Sequence, residues 1–346
     1  MKMLLLGDVC PTDKNAALFK EKRIDMLFGR AVSAFENKDF VFVNLECALT
    51  DHDKKIDKYG PALKAPLETA EVLKALGVGC CGLSNNHVFD FGKKGIRDMI
   101  SSLTENGVDY TGFGDNYEDS RKNYIIERDG QKIALIAVCE HEYSYALDYR
   151  MGSRPYDEYD TVDDVRRAKA ECDRVIVIYH GGKEFCRYPS PRLRKLCRAL
   201  VNNGADVVLC QHSHCIGCYE YYNGGHILYG QGNFHFVKDH KFDGWHSSLT
   251  VTYDSNDNTV EFSPLKNTEY GIDIPSDSEA KEIMDGFYAR NEELLNGKWV
   301  DGWKEFCRSM QPVYFAAPCR AIWDLPPSGT TRLYLFKERA WRTGGI

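Results

Sequence analysis

The amino-acid sequence predicts an α/β fold in which two mixed β-sheets pack face to face, with helices on the outside. In the first half of the chain, short apolar segments alternate with segments of helical periodicity, which is typical of a mostly parallel sheet. Two turn signals, Asp129-Gly130 and Asn223-Gly224-Gly225, lie between β-rich segments and predict hairpins that add antiparallel strands. With 346 residues, 43% of them hydrophobic, the chain can bury a substantial core.

Each predicted element follows from its local pattern. Apolar runs predict strands at residues 4–7, 40–43, 78–83, 124–136 (a hairpin), 175–179, 205–210, 219–222, 226–229, 249–253 and 259–262. Helical spacing of apolar residues predicts helices at 27–35, 67–76, 93–106, 162–170, 191–203 and 278–295. The pattern changes after about residue 265. We therefore expect a main domain at 1–265 and a helical and irregular appendage at 266–346 packed on it.

The charge and the cysteines narrow the class of protein. A net charge of −7 and a pI near 5.8 argue against a general attraction to nucleic acid or to acidic membranes. The apolar segment at residues 3–6 is too short for a secretory signal or a membrane span, and the 13 cysteines lack the paired spacing of a zinc knuckle. We expect a cytoplasmic protein with mostly buried free thiols, no nucleic-acid partner and no direct membrane insertion. The oligomeric state stays open.

Polar residues follow several of the predicted strands, at the point where each strand ends. They are Asp8, Glu46, Asn86, His87, His180, His212 and His214. Sites in open α/β sheets form outside the carboxyl ends of the strands, so we expect these side chains to converge. Carboxylate, imidazole and amide oxygen together suit divalent manganese, iron or zinc. Six ligands are too many for one tetrahedral ion, but they fit two ions that share a carboxylate and activate a water.

The same residues carry a resemblance to a known family. The chain is similar to the CapA family of capsule and poly-γ-glutamate synthesis proteins, within the calcineurin-like metallophosphoesterase superfamily. The resemblance covers roughly residues 1–255 and rests on Gly7-Asp8-Val9, the Asn-Leu-Glu at 44–46, the segment 83–92, His180-Gly181-Gly182, His212-Ser213-His214 and the segment 229–234. It implies a four-layer αββα sandwich of two mixed sheets with flanking helices.

The resemblance also implies a role for each residue. Asp8 and His214 would bind a first metal ion, Glu46 would bridge, and the second ion would take Asn86, His180 and His212. His87 would be the general acid. The chain departs from the superfamily at Cys10, where a histidine is usual, so this thiol is either an additional ligand or a packed core residue.

Further residues are candidates for binding the substrate. They are Lys64, Asn85, Asn233 and His141. A surface lysine, a turn residue and a solvated loop are the structural alternatives for Lys64, Asn233 and His141. A cluster of basic residues on the helix at 191–203 favours a solvated helix face over a polyanion site.

These features predict a metal-dependent hydrolase, most simply a phosphoesterase that uses a water activated by two metal ions and is linked to bacterial capsule or exopolymer biosynthesis. The substrate would be a small molecule or an anionic polymer. One alternative is an amide or ester hydrolase or transferase that acts on a polyglutamate-like polymer. Another is a polymer-binding or assembly protein without turnover.

Overall fold

The computed structural model describes residues 1–58, 60–140 and 143–323, with side chains as far as residue 313. The strands of this described part are β1 Lys2–Val9, β2 Phe40–Leu45, β3 Ala48–Leu49, β4 Lys64–Ala65, β5 Cys80–Gly82, β6 Asp109–Thr111, β7 Phe113–Gly114, β8 Tyr124–Arg128, β9 Gln131–Cys139, β10 Gly152–Ser153, β11 Arg174–His180, β12 Val207–Gln211, β13 Tyr219–Tyr222, β14 Gly225–Leu228, β15 Ser247–Asp254, β16 Thr259–Asn267 and β17 Ile272–Asp273. The α-helices are α1 Ala16–Lys20, α2 Ile24–Phe28, α3 Thr69–Ala75, α4 Gly92–Glu105, α5 Tyr117–Ser120, α6 Asp160–Glu171, α7 Pro191–Asn202, α8 Asp277–Asn296 and α9 Trp299–Trp323. Two 3₁₀-helices cover Gly29–Phe35 and Asp243–His246.

Two large mixed sheets form the centre of the fold. The first has seven strands in the order β17-β16-β15-β1-β2-β5-β6, and the second has six in the order β13-β14-β12-β11-β9-β8. Strands β1, β2, β5 and β6 run parallel, as do β9, β11, β12 and β14, whereas the hairpin strands pair antiparallel. The two predicted hairpins and the mixed character of both sheets are thus confirmed.

Alternate residues along one strand separate the layers. Met3 and Leu5 of β1 belong to a core cluster shared with residues of the second sheet such as Ile176 and Leu209. Leu4 and Leu6 point to the opposite face, in a cluster that includes residues of α3 and α4. Because both faces of β1 are buried, the strand reads as a continuous apolar run. Helices α6 and α7 contact strands of the second sheet. The observed sandwich of two mixed sheets with flanking helices agrees with the predicted fold class.

One predicted helix is divided in the structure. Residues 27–35 were expected to form a single helix, but they hold the end of α2 and a 3₁₀-helix. Gly29 lies between them with φ of 46°, a conformation that ends an α-helix and that glycine adopts at little cost. The predicted helix boundary was therefore wrong because the glycine outweighed the apolar spacing.

The C-terminal part also differs from the expectation of irregular structure. Strand β16 extends to Asn267, β17 pairs with it, and α9 forms a helix over residues predicted to be irregular. Contacts divide the chain into a unit at Met1–Trp299 and a second unit that begins at Val300. The predicted domain division after residue 265, which concerns the limits of the catalytic-type fold, stays a prediction. Within the described residues, none of the helices combines the length and the apolar character needed to cross a membrane.

The pairing of the strands brings their carboxyl ends together. In the first sheet, Asp8 of β1 lies opposite Asn44 of β2, which in turn lies opposite Gly82 of β5. In the second sheet, His180 ends β11 opposite Gln211, the last residue of β12. The segments that follow these strands therefore meet at one edge of the sandwich, as parallel sheets require.

Candidate metal centre

Two groups of buried ligand-type side chains meet at this edge and share one carboxylate. Asp8, Glu46 and His180 form one group, and Glu46, His212 and His214 form the other, with the ligand atoms of each group within 4.8 Å of one another. Such a pair of groups around a common carboxylate is the arrangement expected for two neighbouring divalent ions. The donor set of carboxylate oxygens and imidazole nitrogens suits manganese, iron or zinc.

The backbone aims these side chains inward. His212 and His214 follow β12 with φ of 83° and 53°, in the left-handed region that non-glycine residues rarely adopt. Each such residue costs about 1–3 kcal/mol, a strain that is found mainly at functional sites. Gly7, the residue before Asp8, passes close to another segment, since a Cβ there would lie 2.4 Å from the carbonyl oxygen of Gly232. The Gly-Asp sequence is therefore a packing requirement as well as a ligand signal.

Glu46 is the strongest indication of a bound cation. Its side chain is fully buried, and neither carboxylate oxygen has a hydrogen-bond partner among the described residues. An unsatisfied buried polar group costs about 1–3 kcal/mol, and more when it is charged. Burial, followed by the charge of Glu184, raises the pKa of Glu46 well above its usual value. A divalent ion would supply the missing partner and would favour the ionised carboxylate, so the residues present fit a metal.

The neighbouring groups show the same pressure against charge. Burial, followed by the charge of Glu46, raises the pKa of Asp8 to about 8. Burial lowers the pKa of His180 to about 4 and that of His214 to about 3. Without a cation, the site therefore holds protonated carboxyls and neutral imidazoles at neutral pH. Neutral imidazole is already the form that binds metal, whereas the carboxyls must first lose a proton.

Hydrogen bonds orient several of the ligands. Asn44 donates to Asp8 Oδ1 at 2.7 Å, and its Nδ2 lies 3.2 Å from Nδ1 of His180. The Nδ1 atom of His214 lies 2.8 Å from Oδ1 of Asn233. Partners of this kind fix the orientation of metal-binding side chains.

His87 belongs to a separate network beside the ligands. Its Nδ1 lies 2.7 Å from Oδ2 of Asp90, and Lys58 forms a close ion pair with the other oxygen of Asp90. Burial lowers the pKa of His87, and the hydrogen bond with Asp90 opposes this. Because Asp90 occupies Nδ1, the atom left for proton transfer is Nε2.

A cavity of about 440 Å³ opens onto this constellation. Asn86, His87, His212 and His214 contribute to its wall, and Lys58, Tyr143, Glu184, Phe185, Phe236, Lys238 and Trp245 complete most of the lining. A cavity of this size accommodates a small molecule or one unit of a polymer. His87 and three of the predicted ligands thus face the same space.

The predicted ligands lie together, but they group differently from the division implied by the resemblance. His180 lies with Asp8, its Nδ1 3.7 Å from Asp8 Oδ1, and His212 lies with His214. Two further contacts also allow the implied division, since His214 Nδ1 is 3.7 Å from Asp8 Oδ2 and Asn86 Oδ1 is 2.9 Å from His180 Nε2. The assignment of each residue to one of two ions stays a prediction.

The predicted substrate contacts do not line the cavity where the structure describes them. Asn85 is buried and holds the loop, with Oδ1 accepting from the backbone N–H of His87 and of Val88. Asn233 supports His214, and Lys64 pairs with the exposed Asp53 at 2.6 Å. The structure therefore corrects these three placements, because each side chain is used for support or faces away.

The remaining predicted contact, His141, lies outside the described residues, and so does the neighbouring Glu142.

Cys10 takes no part in either group of ligands. The side chain is buried, and burial followed by the neighbouring Cys47 raises the pKa of its thiol well above the usual value. A neutral thiol is a poor ligand. The structure thus favours the packed-thiol alternative at the position where related proteins have histidine.

Several residues of the site were not predicted from the sequence. Asp90 had a usable signal, because it follows His87 by three residues in one turn. Lys58 had none, since it lies in a loop between β3 and β4. Lys238 and Trp245 come from the long connection between β14 and β15, where no periodic pattern distinguishes a cavity residue from a surface residue.

Comparison with known proteins gives the class that this fold and this site define. A family model described as "Bacterial capsule synthesis protein PGA_cap" matches residues 2–238, so the chain belongs to that family. The match includes all seven residues predicted to bind metal or act as the general acid, and it confirms the resemblance.

Individual relatives carry related descriptions. The chain is 29% identical over 272 residues to the capsule biosynthesis protein CapA of Bacillus anthracis, covering 75% of this chain and 64% of that protein. It is 28% identical over 236 residues to the PGA biosynthesis protein CapA of Bacillus subtilis (strain 168), covering 67% and 62%. The chain thus spans a little less than two thirds of the length of these relatives. A hypothetical protein of known structure from Thermus thermophilus is similar with a TM-score of 0.49 and 14% identity, over 78% of this chain and 100% of that one.

Proposed function

We propose that this protein is a metal-dependent hydrolase that cleaves phosphoesters during the synthesis of a capsule or related exopolymer. The observation that carries the proposal is Glu46, a buried carboxylate without a hydrogen-bond partner among the described residues, shared by two groups of metal-type ligands. The cavity beside it supports a substrate site, and His87 in the cavity wall supports acid catalysis. Membership of the capsule synthesis family supports the biological setting.

Divalent ions held by the two groups would lower the pKa of a water and offset negative charge on the phosphoryl oxygens. Asp8, Glu46 and the histidines hold the site in shape for this. Asp90 accepts the Nδ1 proton of His87 and so directs Nε2 toward the cavity. From Nε2, His87 donates a proton to the oxygen of the departing group, a contribution of about 10²–10⁴ in rate.

A second candidate is hydrolysis or transfer at an amide or ester bond of a polyglutamate-like polymer. The observation that favours it is the description of the Bacillus subtilis relative as a PGA biosynthesis protein. The same acid and the same ligands serve attack at a carbonyl carbon, so the test must include both kinds of bond.

The test is a hydrolysis screen after removal of metal with EDTA and addition of Mn²⁺. The substrates are p-nitrophenyl phosphate, bis(p-nitrophenyl) phosphate and γ-glutamyl-p-nitroanilide. We expect metal-dependent turnover of a phosphoester, reduced about 100-fold or more in His87→Asn with unchanged metal content. His52→Asn is the matched control, because His52 lies outside the cavity lining and should leave turnover unchanged.

Three results would change the assignment. Turnover of the anilide alone would favour the second candidate. Full metal occupancy without turnover of any substrate would favour a binding or assembly protein. Loss of metal in His87→Asn would show that His87 is a ligand and that its role as an acid is wrong.

A further inference from the structure

Lys238 is held in the cavity wall by aromatic rings and not by a carboxylate. Its Nζ atom lies 3.7 Å from the centroid of the Trp245 ring and 5.1 Å from that of Phe236. The indole N–H of Trp245 donates to the carbonyl oxygen of Phe236 at 2.8 Å, and its ring lies 4.5 Å from the ring of His214. The ammonium group is therefore fixed beside a predicted metal ligand.

The two lysines of the cavity differ in their charge balance. Lys58 is paired with Asp90. Among the described residues, no carboxylate forms an ion pair with Lys238 within 4.0 Å, although Glu184 contributes to the same cavity. A cation–π contact orients an ammonium group, but it leaves its three N–H donors available to an anion. Lys238 thus supplies a positive charge that the surrounding described side chains do not neutralise by direct contact.

We propose that Lys238 binds an anionic oxygen of the substrate and selects substrates that carry a second negative charge. This inference rests on the proposed function. A phosphomonoester carries one more ionisable oxygen than a diester, and a carboxylate next to the scissile bond supplies the same chemistry. Trp245 positions Lys238, and the metal ligands beside it receive the reacting group.

Glu184 has the opposite effect in the same cavity. Its carboxylate repels a second negative charge on the substrate and attracts Lys238. Replacement of Glu184 by glutamine should therefore strengthen the binding of a doubly charged substrate, whereas replacement of Lys238 by methionine should weaken it. A merely structural role for Lys238 would not predict these opposite signs.

The test compares p-nitrophenyl phosphate with bis(p-nitrophenyl) phosphate in Lys238→Met, Lys238→Arg and Glu184→Gln, each loaded with Mn²⁺. We expect Lys238→Met to raise KM for the monoester about tenfold or more with a smaller change in kcat, since a hydrogen bond between charged groups is lost. The diester should be affected less than about threefold, and Lys238→Arg should restore most of the monoester preference. The exposed Lys241, three residues along the chain, provides the control Lys241→Met, which should match wild type.

The γ-glutamyl anilide carries a carboxylate and separates the two sources of the second charge. A KM effect of Lys238→Met on the anilide and not on the monoester would assign the contact to a carboxylate. An effect on the monoester would assign it to the phosphoryl group. Equal kcat/KM losses for monoester and diester, or no loss for any substrate, would overturn the inference.

A binding measurement separates this inference from the proposed function. Calorimetry with inorganic phosphate uses Mn²⁺-loaded His87→Asn, with and without Lys238→Met. Binding weakened about tenfold or more by Lys238→Met supports the anion contact even if no ester is turned over. Unchanged phosphate affinity together with unchanged monoester selectivity overturns the contact while leaving hydrolase activity intact.

Discussion

Glu46→Gln should separate the stability of the metal-free protein from its response to metal. The substitution keeps the shape of the side chain and removes a carboxyl group that burial holds against ionisation. Replacing a buried charged group by a neutral one of similar volume is often neutral or stabilising. We therefore expect the metal-free variant to unfold with a free energy within about 1 kcal/mol of wild type, or above it.

The metal-dependent part should be lost. A ligand present at about a thousand times its Kd stabilises the folded state by about 4 kcal/mol. For a domain of this size, each kcal/mol raises Tm by about 2 °C or slightly more, so Mn²⁺ should raise the Tm of wild type by about 8 °C. Glu46→Gln removes the carboxylate common to both groups of ligands, and most of this rise should disappear.

Differential scanning calorimetry in EDTA and in a Mn²⁺ titration measures both quantities. Glu220→Gln is the matched control, because Glu220 is also a buried glutamate but is bonded to Arg198 and to the Tyr229 hydroxyl at 2.6 Å. That change should cost about 1–3 kcal/mol with or without metal. If Glu46→Gln destabilises the metal-free protein as much as the control does, or responds fully to Mn²⁺, Glu46 is a structural residue and the reasoning fails.

Three further changes test other parts of the site. Mn²⁺ binding at pH 7 should release protons, and its affinity should rise with pH up to about 8, because Asp8 (pKa about 8) is protonated in the metal-free site whereas His180 (pKa about 4) is already neutral; calorimetry in buffers of different ionisation enthalpy measures the release, and an absence of protons would contradict the raised carboxyl pKa. Asp90→Asn should lower kcat about 100-fold or more and move the basic limb of the pH–rate profile to lower pH, since the charge of Asp90 raises the pKa of His87; an unchanged profile would remove Asp90 from the mechanism. Cys10→Ala should leave the metal content unchanged and cost about 1 kcal/mol through a small cavity, whereas loss of metal would make the thiol a ligand.

The sign of the pH effect on the metal-free protein follows from these pKa values. Asp8 has a folded pKa above its unfolded value of 3.8, so its contribution is present at low pH and is lost as pH rises toward about 8. His180 has a folded pKa of about 4, below its unfolded value of 6.5, so its contribution is lost as pH falls from about 6.5 to about 4. Chemical unfolding in EDTA at pH 5, 6.5 and 8 should show the two opposing trends.

The sequence predicted the ligands better than it predicted their surroundings. Asp8, His180 and His212 each follow an apolar strand, and parallel strands bring such ends to one edge of a sheet whatever the details of packing. Lys238 and Trp245 reach the cavity from an irregular connection, whose path depends on tertiary contacts that leave no periodic signal. The same limit explains the substrate contacts, because Asn85 and the site residues next to it share a segment but face different surroundings.

Departures from ordinary local structure are concentrated at the predicted ligands. His212 and His214 occupy the left-handed region, and Glu46 is buried without a hydrogen-bond partner among the described residues. Burial alone does not produce this state, since the equally buried Arg154 is bonded to Asp164 at 2.6 Å and to Asn123 at 2.9 Å. The fold thus neutralises a buried charge where the charge serves only structure. Because it leaves Glu46 without that neutralisation, beside strained histidines and a cavity, the most direct physical explanation is a cation that completes the site.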